Sequence, residues 1–395
     1  MSTAGSLKQQ PNGTWSFVVN VVPGPDDVRR QARKRGFATK KDAQAALDEV
    51  RTSVRRASYV APAKMTVDGY FKAWVKGLPA TGMRTSSIES YRRNLMYVSD
   101  RLGYRRLEAL SALDLDALYS ELLASGRRQR KGEGLSPRTV RYVHAIVYRA
   151  LADTKKKKIL AQNVAEDATP PSLKSTKAPE MKWWTPEELH SFLTFTADEA
   201  LGPLFRLAAM TGMRRGEVCG LQWGAVDLER SRLEVRQQLG VVRGQPSGGL
   251  VFSERTKTDH GRRRIDLDMG TVAVLRAQRA RQASERLLIG VGWKNPHDLV
   301  FTAADGSPLD PESVARLFSR RVARAGLKQI RFHDLRHSHA AHLIAAGEQP
   351  LLISKRLGHA SAAFTMDRYG HLFEGAGRQA ASAVAAMVDG TVTSS

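Results

Sequence analysis

The side chains best suited to covalent chemistry lie in the second half of this chain. Tyr369 is the only tyrosine of that half, and it follows His359 by ten residues. Arg214, His333 and Arg336 precede it. A phenol near two arginines and two histidines supplies the groups that attack on a phosphodiester needs: a nucleophile, cations for the phosphate and groups that move protons.

Transfer of a phosphodiester without a metal ion needs fixed positive charge where negative charge gathers in the transition state. Guanidinium groups suit this task because they are permanently charged and bidentate. Arg214 and Glu217 are three residues apart and can share one helical face, so the glutamate can orient the arginine. His333 and Arg336 have the same spacing. Lys257 lies in a turn-like stretch and can swing over a bound phosphate.

The chain is strongly basic. Its 395 residues include 62 lysines and arginines against 39 aspartates and glutamates, a formal net charge of +23. Such a charge favours a polyanion such as DNA or RNA, bound through counterion release. The alternative is a basic surface without a specialised role, as in many ribosome-associated proteins.

Other bulk features exclude several classes of protein. No apolar run is long enough to cross a bilayer. Met1–Gln10 lacks the pattern of a secretion signal, so we expect a cytoplasmic protein. Cys219 is the only cysteine, which excludes an intrachain disulfide and a Cys-rich zinc site.

Residues 1–60 are predicted to form a small separate domain. Pro11–Gly13 is a turn signal, and the alternation along Trp15–Val21 predicts a strand with one buried face. A basic third strand and a helix capped by Thr39 follow. Such a sheet can place a strand in the DNA major groove, whereas a basic tail on a solvated sheet is the alternative. The predicted DNA contacts are Arg29, Arg30, Arg33, Lys34 and Arg35.

Residues 64–166 are predicted to form a helical domain. Apolar residues recur at helical spacing, first in Val67–Trp74 and later behind the start signal Ser136-Pro137. Four consecutive lysines end the last helix, either as a patch that contacts phosphate or as a solvated terminus favoured by the helix dipole. These are Lys155, Lys156, Lys157 and Lys158.

The rest of the chain is predicted as a linker, 167–180, and a C-terminal domain, 181–395, with mostly helices and one sheet. Its strand-like segments are Leu233–Arg236, the region of Val251-Phe252, and Arg263–Leu267. Thr256–Gly261 is predicted as the turn between the last two. Tyr369 is predicted on a helix that begins at Ser361.

Three short motifs of this C-terminal domain carry a family resemblance. Thr211–Glu217, with the sequence TGMRRGE, resembles the first arginine box of the tyrosine recombinases, the phage integrase family. His333–His337, with the sequence HDLRH, resembles the second box. Leu357–Thr365 and Tyr369–Leu372 resemble the third. The order and approximate spacing of the motifs also agree with that family.

The resemblance implies a multidomain fold that is mainly α with small β-sheets. Residues 1–60 would be a three-stranded-sheet domain that binds arm-type DNA sites, 64–166 a helical, SAM-like core-binding domain, and 181–395 an α+β catalytic domain of the tyrosine-recombinase type. The implied function is that of a site-specific DNA recombinase, or integrase. It would cleave and rejoin DNA through a 3′-phosphotyrosyl intermediate and so integrate or excise a phage or mobile element.

The resemblance also implies a role for each matching residue. Tyr369 would attack the scissile phosphate and free a 5′-hydroxyl. Arg214 and Arg336 would hold the phosphate oxygens. Lys257 would protonate the leaving 5′ oxygen, although the turn motif around it is loose and four arginines lie close to it in the sequence.

The remaining positions complete this set. His333 would help to accept the tyrosine proton, His359 would hydrogen-bond the phosphate, and Glu217 would take the acidic structural position of the family. Because the covalent intermediate conserves bond energy, neither ATP nor a metal cofactor is implied. The other histidines of this region are interpreted as structural: His337, His339, His342 and His371.

The partners that the resemblance implies are double-stranded DNA with attachment sites and further copies of this chain, as a homotetramer on DNA. A directionality factor and a DNA-bending protein are further candidates. The expected location is the bacterial cytoplasm, on the nucleoid when DNA is bound, and no membrane is involved.

Several alternatives remain at this stage. A type IB DNA topoisomerase uses the same phosphotyrosine chemistry, and a relative without activity would only bind DNA. A zinc hydrolase is a third alternative, because His333 and His337 have the spacing of the metalloprotease helix. Asp334 stands where that helix needs a glutamate, and no third ligand is evident.

Overall fold

The computed structural model describes residues 5–21, 30–55, 65–128, 132–172, 181–241, 249–254, 262–359, 361–373, 381–382 and 384–388. The chain divides into two compact units, Met1–Ala178 and Pro179–Ser395. Two of the predicted functional residues, Arg29 and Lys257, lie outside the described residues. In the described part of the chain, the helices are all too short or too polar to cross a membrane.

The first unit begins with the predicted sheet and helix. The elements are β1 (Gly5–Gln9), β2 (Trp15–Val21), β3 (Arg30–Phe37) and α1 (Lys40–Arg55). The strands are antiparallel in the order β1-β2-β3. Phe17 and Val19 alternate along β2 and are fully buried against Leu47 of the helix. Thr39 caps α1, where its hydroxyl accepts a hydrogen bond from the Asp42 amide at 3.2 Å.

Four helices of the first unit share a second hydrophobic core. They are α2 (Val67–Gly77), α3 (Thr85–Leu102), α4 (Ala112–Ser125) and α5 (Pro137–Lys156). Tyr70 and Trp74 are buried, as their helical spacing predicts. The Tyr70 hydroxyl donates to the Ala150 carbonyl of α5 at 2.8 Å, which ties the first of these helices to the last. Ser136 caps α5, as predicted.

Helices dominate the second unit. They are α6 (Pro186–Phe195), α7 (Gly202–Thr211), α8 (Arg215–Cys219), α9 (Met269–Ile289), α10 (Pro311–Arg324), α11 (Asp334–Ala345), α12 (Pro350–Leu357) and α13 (Ala362–Tyr369). Aromatic rings fill the centre of the core, and they belong to Trp184, Phe192, Phe205, Phe318 and Phe332. This packing fixes α7 and the start of α11 against each other, and both carry residues of the candidate site.

The prediction of one sheet in the second unit was wrong. The strands are β4 (Val226–Asp227), β5 (Arg232–Val235), β6 (Gln237–Val241), β7 (Leu250–Glu254) and β8 (Arg263–Asp266). They form two sheets, in which β8 pairs with β5 while β7 pairs with β6. Only Arg236 separates β5 from β6, so the chain bends there and β6 leaves the first sheet. The predicted turn, Thr256–Gly261, lies outside the described residues.

Local signals set the helix ends near the candidate site. Gly358 ends α12 with a left-handed φ of 67°, a conformation that favours glycine. Ser361 caps α13 by accepting a hydrogen bond from the Phe364 amide at 3.1 Å. Both ends agree with the sequence-based predictions, and they place Tyr369 at the last residue of a short helix.

Candidate active site

The candidate site is built where the end of α7 meets α11 and the end of α12. Gly212 follows α7 with a φ of 64°, and a Cβ atom there would lie 2.6 Å from Leu357 and 2.8 Å from His339. Only glycine allows this close approach. The approach brings the first arginine motif beside the other two motifs.

Glu217 joins two arginines in the interior. Its side chain is 1% exposed. One carboxylate oxygen accepts from Arg214 Nη1 at 2.9 Å, and the other accepts from Arg263 Nη2 at 2.8 Å. Glu217 also accepts from the backbone N–H of Arg214 at 2.9 Å, so it fixes both the backbone and the side chain of that residue. The predicted contact between Arg214 and Glu217 is thus part of a group of three that includes Arg263.

Arg263 is a site residue that was not predicted from the sequence. It is 8% exposed, and its Nε donates to the Arg356 carbonyl at 2.7 Å. A signal for its burial was present: along β8 the burial alternates, and Arg263 lies on the same face as the fully buried Ile265. In a run of three arginines, this alternation selects the one that turns inward.

Arg336 is deeply buried, with 3% exposure. It donates to the Gly212 carbonyl at 2.9 Å and to the Leu357 carbonyl at 2.6 Å. Burial is the main cause that lowers the pKa of Arg336 to about 9, and the charges of Arg214 and Arg263 add to the effect. The guanidinium therefore remains protonated at neutral pH.

These cations outnumber their counter-charge. Arg214, Arg263 and Arg336 bring three positive charges, against the one carboxylate of Glu217. Arg214 also donates to the Gly358 carbonyl at 3.0 Å, so it shares the end of α12 with Arg336. An excess of fixed positive charge in a partly buried setting is suited to an anion such as a phosphate group.

His359 and Tyr369 lie side by side after α12. Their rings stack with centroids 6.3 Å apart and an interplanar angle of 16°. His359 Nδ1 is 2.9 Å from the hydroxyl of the buried Thr365, which orients the imidazole. Burial first, and then the charge of Arg336, lowers the pKa of His359 to about 3, so the ring is neutral at physiological pH.

The hydroxyl of Tyr369 meets an unexpected partner. The side chain is 1% exposed, and its oxygen is 2.7 Å from Nδ1 of His337. Burial raises the pKa of Tyr369, although Arg336 and Arg368 act in the opposite direction. Nothing in the sequence placed His337, interpreted there as structural, beside the candidate nucleophile. The contact joins two helices, and the sequence does not show which helix faces meet.

Other histidines keep the structural interpretation. His339 Nε2 accepts from Arg356 Nε at 3.1 Å. His342 Nε2 is 3.0 Å from the Trp184 carbonyl. The side chain of His371 lies outside the described residues.

His333 occupies the outer edge of the site. It precedes α11, and its exposed ring makes an edge-to-face contact with His337 at 5.3 Å between centroids. Partial desolvation, followed by the charge of Arg336, lowers the pKa of His333. A cavity of about 930 Å³ adjoins it, and the basic residues of its lining are Lys182, Arg214, Arg215, Arg316 and Arg331.

The predicted residues are thus brought together in part. Those that converge are Arg214, Glu217, His333, Arg336, His359 and Tyr369. Among the described residues, no group of three or more His, Cys, Asp or Glu side chains is arranged to hold a metal ion, and the zinc-hydrolase alternative gains no support.

The predicted DNA contacts lie elsewhere in the chain. Arg33, Lys34 and Arg35 are exposed on β3, which also contains Arg30. The four lysines Lys155 to Lys158 are exposed at the end of α5, where Lys155 lies 3.4 Å from Glu166.

Comparison with known proteins identifies the family. Residues 182–375 match the Phage integrase family, and residues 7–54 match the Arm DNA-binding domain. An integrase of Streptomyces ambofaciens is 30% identical over 364 residues, which cover 90% of this chain and 88% of that protein. The chain belongs to the phage integrase family. The resemblance seen in the three motifs is therefore confirmed.

Other relatives agree with this assignment. The ICEBs1 integrase of Bacillus subtilis is 25% identical over 93% of this chain and 96% of its own length. A tyrosine recombinase XerC-like protein of Caldanaerobacter subterraneus is 24% identical over 91% of this chain and 93% of its own length. This phage integrase family member is thus a tyrosine-type site-specific DNA recombinase, which favours recombination over the topoisomerase alternative.

Solved structures share its fold. The Tn1549 transposon integrase in complex with a circular intermediate DNA has a TM-score of 0.61 at 19% identity, over 78% of this chain and 95% of that chain. A lambda integrase dimer bound to a COC' core site has a TM-score of 0.55 at 14% identity, over 92% of this chain and 95% of that chain. The predicted multidomain class, mainly helical with small sheets, is confirmed.

Proposed function

We propose that this recombinase cleaves and rejoins DNA at attachment sites through a covalent bond between Tyr369 and a 3′ phosphate. The observation that carries the proposal is the convergence of one phenol, three histidines and three arginines where α11 meets the end of α12. No nucleotide, metal ion or other cofactor takes part, because the bond energy of the cleaved strand is kept in the phosphotyrosine. The element that is integrated or excised is a phage or another mobile element.

Strand cleavage is proposed to occur in one displacement at phosphorus. The Tyr369 oxygen forms a bond to phosphorus while the bond from phosphorus to the 5′ oxygen breaks. Arg214 and Arg336 hold the non-bridging oxygens and stabilise their growing charge. His359 donates a hydrogen bond to the same phosphate. The reverse reaction, with the 5′-hydroxyl of another strand, rejoins the DNA.

Two further residues are assigned to proton transfer. His333 helps to accept the phenol proton, and Lys257 gives a proton to the leaving 5′ oxygen. Lys257 lies outside the described residues, but it is six residues from Arg263, which bonds Glu217 in the site. Six residues span at most about 20 Å. This tether supports the placement of Lys257 near the phosphate.

Tyr369 must become accessible before it can react. Its 1% exposure leaves no path for a DNA phosphate to its oxygen. We therefore expect the residues that cover the Tyr369 oxygen to move when DNA occupies the basic cavity beside His333, while the contact between Tyr369 and His337 is kept. Coupling between DNA binding and exposure of the nucleophile would also protect the phenol from unspecific DNA.

DNA binding is proposed to use all three predicted domains. Separate hydrophobic clusters support the division into 1–60, 64–166 and 181–395: one lies in each of the first two ranges and two lie in the third. The range 167–180 is proposed as the linker, although Ala168 packs into the core of the helical domain. The basic residues of β3 are assigned to arm-type sites, and the lysines at the end of α5 to the core site. They are Arg30, Arg33, Lys34 and Arg35, with Arg29 beside them in the sequence, and Lys155, Lys156, Lys157 and Lys158.

The proposed assembly is a homotetramer on two DNA duplexes. The fold is shared with a lambda integrase that was solved as a tetramer bound to a Holliday junction, at a TM-score of 0.54 and 14% identity. The directionality factor and the DNA-bending protein stay predictions. The bacterial relatives support a place of action on DNA in the bacterial cytoplasm.

A suicide substrate tests this proposal. Attachment-site DNA with a nick just 3′ of the scissile phosphate releases a short 5′-hydroxyl fragment on cleavage, so the covalent complex cannot reseal. The wild-type protein should accumulate an adduct that survives denaturing electrophoresis. Tyr369→Phe should bind the same DNA and give no adduct, and an adduct in that variant would overturn the choice of nucleophile.

A further inference from the structure

His337 is the buried titratable group closest to the reacting atom, and the proposed function gives it no role. It lies on α11 with 4% exposure. Its Nδ1 atom is 2.7 Å from the Tyr369 oxygen, and the two rings meet edge to face with centroids 5.8 Å apart. A separation of 2.7 Å is that of a well-formed hydrogen bond.

His333 does not have this contact. Within the described part of the chain, the hydrogen bond of the Tyr369 hydroxyl goes to His337. The ring of His333 instead touches His337, at 5.3 Å between centroids, and is exposed. A proton that leaves the phenol therefore reaches His337 first, and His333 lies on the solvent side of it.

The other nitrogen of His337 faces a carboxylate. Nε2 is 4.0 Å from Asp334 Oδ1 and has no hydrogen-bond partner among the described residues. Asp334 is held in place by Arg331, whose Nη2 donates to it at 2.7 Å. When Nδ1 accepts from the phenol, Nε2 carries the hydrogen and points it toward this negative charge. An imidazolium formed here would thus be stabilised by Asp334.

The charges around His337 set when it can take a proton. Burial is the main cause that lowers its pKa to about 4; His333, Arg331 and Arg368 act in the same direction, while Asp334 raises it. In the absence of DNA the ring is therefore neutral and able to accept a proton. The negative charge of a phosphodiester bound near Arg336 would raise that pKa toward the working pH.

We propose that His337 is the group that accepts the Tyr369 proton during strand cleavage, with Asp334 as its counter-charge. This inference rests on the proposed function. The proton moves from the phenol oxygen to Nδ1 of His337 as the bond from oxygen to phosphorus forms, and the 5′ oxygen leaves with a proton from Lys257. On rejoining, the proton returns from His337 to Tyr369. His333 has a supporting place between this pair and solvent.

Substitution of His337 tests the inference under single-turnover conditions on the suicide substrate. Asparagine keeps an acceptor oxygen near the position of Nδ1 but cannot take a proton, whereas alanine removes both properties. If His337 accepts the proton, His337→Asn and His337→Ala should both lose at least about a hundredfold in cleavage rate. Both rates should then rise with pH, because hydroxide replaces the missing base. His342→Gln, on the same helix, is the matched control and should cleave at the wild-type rate.

A substrate with sulfur in place of the bridging 5′ oxygen separates this step from protonation of the leaving group. Sulfur leaves without a proton, so Lys257→Ala should recover its rate on this substrate while His337→Asn should remain slow. Recovery of both variants would overturn the inference.

The remaining outcomes are also decisive. Cleavage by His337→Asn at the wild-type rate, together with a large loss for His333→Asn, would assign the role to His333. Slow cleavage by His337→Ala together with fast cleavage by His337→Asn would show that His337 only positions Tyr369. Melting temperatures of all variants control for misfolding. No adduct with the wild-type protein would overturn the proposed function and this inference with it, whereas fast His337→Asn would overturn only the inference.

Discussion

Two regions of this recombinase use the same side chains in opposite ways. On β3, Arg33, Lys34 and Arg35 are exposed to solvent. In the catalytic domain, Arg263 and Arg336 are 8% and 3% exposed and bound to fixed acceptors. An exposed cation attracts phosphate through a field that salt screens. A buried cation has already lost its water and has a fixed geometry. It can therefore be complementary to the transition state of the reaction rather than to the ground state.

Exposed and buried cations also differ in what they cost in folding free energy. An exposed cation needs no partner, whereas a buried one must be neutralised or well hydrogen-bonded. Glu217 supplies the charge for Arg214 and Arg263, and the carbonyls of Gly212 and Leu357 satisfy Arg336. The exposed cations of β3 can therefore be exchanged at little cost to folding, while those of the site cannot.

The largest effect is expected at Glu217. Glu217→Gln removes the one carboxylate between two arginines and leaves the buried Arg263 without a counter-charge. Loss of one partner of a buried pair costs about 3–5 kcal/mol. Thermal or denaturant unfolding should therefore show a large fall in the stability of the catalytic domain. Glu229→Gln is the control, because Glu229 pairs with Arg276 at the surface, where a pair contributes about 0–1 kcal/mol. Equal losses of unfolding free energy in Glu217→Gln and Glu229→Gln would contradict the distinction between buried and exposed charges.

A second effect is expected at Arg336 in catalysis. Arg336→Ala should lower the rate of adduct formation by about a hundredfold or more, because a fixed donor to the phosphate is removed. DNA binding, measured by gel shift, should change far less. The contradictory result is a loss of binding as large as the loss of cleavage, which would mean that Arg336 only anchors DNA. Arg320→Ala, an exposed arginine of the same domain, provides the comparison.

The smallest effect per residue is expected on β3. Replacement of Arg33, Lys34 and Arg35 by alanine should weaken binding to arm-type sites. The slope of log affinity against log salt should become shallower by about 0.9 for each phosphate that the variant no longer neutralises. Cleavage of a core-site suicide substrate and the melting temperature should hardly change. If the slope of log affinity against log salt did not change for arm-type sites, these three residues would not contact DNA phosphates.

Local signals carried the sequence-based predictions that succeeded. A cap at Ser361, a left-handed glycine at Gly358 and a helix start at Ser136 each depend on a few adjacent residues, so they can be read without the fold. The alternation in β2 likewise showed which side of the strand Phe17 would occupy.

The features that the sequence did not reveal depend on contacts that only the folded chain makes. The strand β6 reads Gln237-Gln238-Leu239-Gly240-Val241, in which two glutamines and a glycine weaken the strand signal, and it pairs with β7. Arg263 looked like one basic residue among several, although its burial phase agreed with Ile265. His337 meets Tyr369 across 32 residues of sequence, and only the packing of two helices brings them together.

The most direct test of the central claim is the chemical position of the covalent bond. The adduct trapped on the suicide substrate is digested with protease and nuclease, and the peptide that retains a nucleotide is sequenced by mass spectrometry. We expect a single modified residue, Tyr369, with the nucleotide joined through its 3′ phosphate. A phosphate linked to any other side chain, or through its 5′ end, would contradict the account.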